Sequence, residues 1–115
     1  MDKSEPGRGL TKAGTLPIKA YGIAPDASSQ AYVSERVEGK LGKFAALIKG
    51  LEIRMKRQGW VGNAPLVTCA VSVTLDGGGQ VAVERSAPEA RAAFDHTMGV
   101  AERLIRRTLQ HIRHK

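Results

Sequence analysis

Residues 88–115 read PEARAAFDHTMGVAERLIRRTLQHIRHK. At about 100° per residue this stretch aligns Phe94, Met98, Ala101, Ile105, Thr108 and Ile112 in one stripe flanked by Leu104 and Leu109, the signature of a helix lying on a core. Arg103, Arg106, Arg107, Gln110, Arg113 and His114 fall on the far side, and no acidic residue follows Glu102, so the last three turns are basic. Ser86 and Glu89 are spaced as a capping box, with Pro88 early enough to need no amide partner. A helix of 28 residues would span ~40 Å at 1.5 Å per residue, against ~20–30 Å for strands of six to nine residues. The end from Gln110 to Lys115 is therefore expected to overhang whatever sheet it covers.

Immediately upstream lie three strand patterns with no helix between them, over residues 51–58, 66–75 and 80–85. In the middle one, Val67, Cys69, Val71, Val73 and Leu75 alternate with Thr68, Ala70, Ser72 and Thr74, which predicts a sheet with one buried and one wet face. Asp76-Gly77-Gly78-Gly79 supplies residues that tolerate positive φ for a tight hairpin. Residues 59–65 read as a looser loop carrying the only tryptophan, Trp60, whose expected role is a buried anchor, with base stacking as the alternative.

Further back, Asp26 is placed to cap a first helix running to about Lys49. Tyr32, Val33, Val37, Leu41, Phe44, Leu47 and Ile48 form its apolar stripe, with Arg36, Lys40 and Lys43 between them. Gly39 and Gly42 inside it predict a kink or break. A short strand over residues 16–21 precedes this helix, and residues 1–15, rich in Gly, Pro and charge, are expected to form a flexible tail before a domain spanning 16–115. The order β-α-β-β-β-α implies an α+β, two-layer sandwich: a four-stranded sheet with two helices on one face, similar to double-stranded RNA-binding domains.

A chain of 115 residues with an apolar fraction of 42% supports one core. Eighteen Lys and Arg against eleven Asp and Glu give a net charge of +7 and a pI near 10.0, which favours a polyanionic partner. One cysteine makes no internal disulfide, and Cys69 reads as a small core hydrophobe, in keeping with a reducing, cytoplasmic setting. No apolar run is long enough for a signal peptide or a membrane span.

Little points to catalysis. The carboxylates Glu35, Glu38, Glu52, Glu84, Asp95 and Glu102 show no working spacing, and His111 and His114, three apart, have no third ligand nearby. We therefore expect no enzyme, metal, cofactor or small-molecule substrate. Gly39-Lys40-Leu41-Gly42 matches the GxxG of KH domains, but it lies in a continuous apolar stripe followed by three strands. An RRM would need aromatics on the wet face, where this chain offers Thr68, Ala70, Ser72, Thr74, Ala82 and Glu84. What remains is a basic patch: Arg36, Lys40 and Lys43 beside Arg103, Arg106, Arg107 and Arg113, arranged to meet phosphates rather than bases.

Tyr32-Val33-Ser34-Glu35-Arg36-Val37 followed by Gly39-Lys40-Leu41-Gly42-Lys43-Phe44 resembles the first helix of ribosome hibernation promoting factors. That family includes ribosome-associated inhibitor A and is also called sigma-54 modulation protein. Ala93-Phe94-Asp95 is similar to its Ala-Ile-Asp, and Arg103 and Arg107 fall at its basic positions. Glu38 reads as an insertion, Arg91 stands where an aromatic is expected, Leu104 replaces a glutamine, and Met98, Gly99 and Val100 also differ. Over residues 16–115 the resemblance is to the short form, without a C-terminal dimerisation domain.

The resemblance implies a protein that is monomeric off the ribosome and stays away from membranes. It would bind the small ribosomal subunit in the mRNA/tRNA channel, contact ribosomal RNA and hold ribosomes inactive in stress or stationary phase. Carried over residue by residue, Arg36, Lys40, Lys43, Arg103 and Arg107 match RNA-facing positions, while Arg106, Arg113 and Lys115 come from the helical wheel alone. The alternatives from other classes are a generic double-stranded RNA-binding module and a protein-interaction domain with a basic surface.

Overall fold

A computed structural model of the chain describes residues 12–13, 16–24 and 26–113. The strands are β1 (Lys12–Ala13), β2 (Leu16–Tyr21), β3 (Ile48–Val61), β4 (Ala64–Leu75) and β5 (Gln80–Ala87), and the helices are α1 (Ala27–Leu41) and α2 (Ala90–Arg113). A 3-10 helix, Gly42–Leu47, follows α1. The order is the expected β-α-β-β-β-α. Strands β2-β3-β4-β5 form a four-stranded mixed sheet, to which the two-residue β1 adds an antiparallel edge on β2. Apart from Lys12 and Ala13, the expected tail lies outside the described residues.

β2 and β3 run parallel, so the chain needs a crossover between them, and α1 with its 3-10 extension provides it. The remaining pairs are antiparallel. Register explains the core. Ile53 pairs with Val71 and Val71 with Val83, Leu51 with Val73 and Val73 with Val81, and Ala20 with Ile53. Every second residue of four strands thus faces the same side, where Val33, Val37 and Leu41 of α1 and Phe94, Met98, Ala101 and Ile105 of α2 cover it. Phe94, Leu41, Met98 and Ile105 are buried, while Ser72, Thr74, Ala82 and Glu84 on the opposite face are exposed.

Asp26 caps α1 as its position suggested, its carboxylate accepting from the Ser29 amide at 2.9 Å. The helix does not reach Lys49. It ends at Leu41 and tightens into the 3-10 turn at Gly42, where the glycine pair weakens it, and Ile48 already belongs to β3. Gly39 and Gly42 both lie in helical segments, so the GxxG does not form a nucleic-acid clamp loop. Leu47, expected in the stripe, is 41% exposed.

Ser86 does not cap α2. It remains in β5 opposite Thr68, the two hydroxyls 2.8 Å apart, and the first turn closes instead through the Ala93 amide donating to the Glu89 carbonyl at 3.0 Å. Residues 59–65 are not a loop either. β3 and β4 continue through them to a turn at Gly62-Asn63, with a register shift between Arg57 and Gly59. Trp60 is paired opposite Pro65 and is 64% exposed, so it anchors nothing in the core. A proline is tolerated there because this end of the hairpin has no further strand to receive its missing N–H.

Glycine is needed at the turn after β2 and in the β4–β5 connection. Gly22, after β2, has φ +80°, and a Cβ there would lie 2.0 Å from the Met55 carbonyl oxygen. In the β4–β5 connection, Gly77 and Gly78 also take positive φ while the Leu75 amide donates to the Gly79 carbonyl at 2.8 Å.

Candidate nucleic-acid interface

The two helices lie side by side, and two carboxylates of α2 tie them together. Asp95 and Glu102 are seven residues apart, two turns, and so share the flank of α2 that faces α1. Asp95 accepts from the Tyr32 hydroxyl and, at 3.0 Å, from Nε of Arg36. Glu102 receives Nζ of Lys43 at 2.6 Å, Nη2 of Arg106 at 3.1 Å and Nζ of Lys40 at 3.5 Å. Its side chain is 15% exposed, whereas those of its three partners are 38–49% exposed. The cations therefore pack their stems around a covered carboxylate and keep their heads at the surface.

These contacts shift proton affinities in the expected directions. The Lys43 hydrogen bond, followed by Coulomb attraction to Lys43, Lys40 and Arg106, holds the Glu102 carboxyl below its ordinary value against the opposing effect of burial. Tyr32 is raised, chiefly because its hydroxyl donates to Asp95. The Cys69 thiol is pushed up to about 11 by burial, and a thiol so protonated is a packing group rather than a nucleophile.

Of the expected site residues, Arg36, Lys40, Lys43 and Arg106 are drawn into one seam between α1 and α2. Arg103 and Arg107 project outward from α2, exposed and without an ion-pair partner among the described residues. Arg113 is the last residue of α2, and Lys115 lies outside the described residues. Arg36, Lys40, Lys43, Arg103, Arg106 and Arg107 against Asp95 and Glu102 leave an excess of four positive charges among these eight residues. Beyond the 3-10 helix the seam opens into a groove lined by Lys43, Phe44, Leu47, Asp76, Arg106 and Leu109. No group of three or more metal-ligating side chains occurs among the described residues.

The sequence had not singled out Arg91 as part of this surface. Its guanidinium lies 4.2 Å from the Tyr32 ring centroid, with Arg36 at 5.9 Å from the same ring. Arg91 thus covers the Tyr32 ring with a cation. The spacing of Arg91 and Asp95, one helical turn apart on the α1 side, is the signal that could have found it.

The fold is similar to the crystal structure of the Thermus thermophilus Protein Y N-terminal domain, with a TM-score of 0.61 and 19% sequence identity, covering 78% of this chain and 91% of that one. It is similar also to a ribosomal subunit interface protein from Coxiella burnetii, with a TM-score of 0.56 and 14% identity, covering 80% of this chain and 93% of that one. At such identities the likeness is one of fold. Among curated proteins no significant match was found. The family described as sigma 54 modulation protein / S30EA ribosomal protein matches residues 17–113, nearly all of the domain, and the chain belongs to that family.

Proposed function

We infer that this protein is a ribosome-associated translation inhibitor. It binds the small ribosomal subunit in the mRNA/tRNA channel, meets ribosomal RNA with its two-helix basic face and keeps ribosomes inactive in the cytoplasm of stressed or stationary cells. The observation that carries this reading is the seam in which Lys40, Lys43 and Arg106 from two helices converge on one covered carboxylate. Glu102 gathers these cations on one face, where it also competes with RNA phosphate for them. Arg103 and Arg107, without a carboxylate partner among the described residues, carry the unspent charge outward, and Arg113 and Lys115 follow them in the sequence. Family membership and the names of the two similar structures support the ribosome as the partner.

Inhibition on this reading is by occupancy and requires no chemistry from the protein. Phosphates are met by Arg forks and Lys point charges, and the counterions they release supply most of the affinity. The test is a double reversal, Arg103→Glu with Arg107→Glu, because both side chains are exposed and have no ion-pair partner among the described residues, so the change leaves the fold intact. In sucrose gradients of stationary-cell extract the wild type should travel with small subunits or whole ribosomes, and the variant should remain at the top at unchanged Tm. A wild type that stays at the top at low salt, or a variant that still sediments, overturns the proposal.

A further inference from the structure

At the opposite end of the sheet from the groove, the β3–β4 hairpin runs on alone. β2 pairs with β3 only as far as Arg54, and β5 pairs with β4 only from Val67 onward, so among the described residues, residues 58–66 have no sheet neighbour but each other. The tip carries Trp60 and Val61, 64% and 63% exposed, two of the three large hydrophobic side chains exposed among the described residues. Trp60 differs from the other four aromatics. Tyr21 is covered by Arg54 at 4.4 Å, Phe44 by Lys43 at 5.7 Å, and Tyr32 and Phe94 contact each other at 6.2 Å, whereas among the described residues neither ring nor cation stacks on Trp60.

Charge selects the partner. Between Ile53 and Leu75 the chain has no Asp or Glu, while Arg54, Lys56 and Arg57 lead up to the tip. Register places Arg57 opposite Val67 and Trp60 opposite Pro65, in line with Cys69, so both project on the helix side of the sheet, the side of the basic seam. An open indole face next to a cation, on an arm without carboxylates, suits a nucleic acid strand: the ring stacks on an unpaired base while Arg57, on the same face, meets a flanking phosphate. An apolar protein partner would have asked for a wider hydrophobic surface than Trp60 and Val61 offer.

We propose that the tip of the β3–β4 hairpin is a second RNA contact, in which Trp60 stacks on an unpaired base of single-stranded or loop RNA beyond the phosphate-binding helices. On the ribosome this contact rests on the function inferred above, but stacking itself does not depend on it. Because Trp60 is the only tryptophan, its fluorescence reports the tip directly. The experiment titrates the protein with a mixed-sequence single-stranded RNA of about 12 nucleotides, a length within the site size of stacking proteins.

The expected result is saturable quenching, with Trp60→Ala binding that RNA about five- to a hundredfold more weakly and Trp60→Phe retaining most of the affinity. Tm should not change in either variant, since the side chain supports no core contact. Absence of quenching, or undiminished binding by Trp60→Ala, overturns the inference. So does a blue-shifted, unquenched emission on mixing with RNA-free small-subunit proteins, which would assign the tip to a protein partner. Quenching by the oligonucleotide in a wild type that fails to sediment with ribosomes supports base stacking and overturns only the ribosomal reading.

Discussion

Glu102 is the residue on which the basic surface is built, and its effects on stability and on binding have opposite signs. Three partly exposed cations share its carboxylate. At a few tenths of a kcal/mol for each such pair, Glu102→Gln should lower stability by about 1 kcal/mol in thermal unfolding. The same change removes a competing anion beside Lys40, Lys43 and Arg106, so RNA affinity should stay level or rise. The stability loss depends on pH. The folded carboxyl binds its proton less readily than the unfolded one, whose value is near 4.5, so the wild type's advantage is complete above that pH and fades as pH falls through the lowered folded value. Melting curves of both proteins from neutral to acid pH should therefore converge at the acid end. If the gap persists there, the Glu102 contribution is packing rather than charge.

At the scale of elements, the glycines divide by what a side chain would meet. Gly39 lies inside α1 in open space, so Gly39→Ala should stabilise the helix by about 0.5–1 kcal/mol and raise Tm by a few degrees. Gly22→Ala should do the reverse, costing more than about 2 kcal/mol, because its φ is +80° and the new methyl would strike the Met55 carbonyl. Differential scanning calorimetry of the two variants checks both signs. The element boundaries that sequence patterns misplaced share a cause. Ile48 and Leu47 fit the helical stripe of α1, but the two glycines let the helix end early and β4 captured Ile48 opposite Leu75. Residues 59–65 carry three breakers, Gly59, Gly62 and Pro65, yet pairing across a long hairpin overrides local preference where the outer edge faces solvent.

For the whole molecule, the balance of charge decides how binding responds to salt. With a local excess of four positive charges neutralising about four phosphates, affinity for ribosomal RNA should fall about a hundredfold between ~50 and ~200 mM salt. Filter binding or sedimentation across that range gives the slope. A flat response would mean that non-ionic contacts dominate and that the helix face is not the interface. Among the described residues no helix is long and apolar enough to cross a membrane.

The sequence by itself determined the architecture, because periods of 2 and 3.6 residues in the apolar positions say which side of each strand and helix must be buried, and only one layered arrangement buries them together. It determined also that α2 carries arginines on its far side and that Arg36, Lys40 and Lys43 belong on its neighbour. What only the tertiary structure decided was pairing across elements. Asp95 and Glu102 looked scattered because their partners Tyr32, Arg36, Lys40 and Lys43 are about sixty residues away in the chain. The fate of Ser86 and Trp60 likewise turned on how far β3, β4 and β5 extend, since strand length is set by the neighbour a strand finds rather than by its own residues.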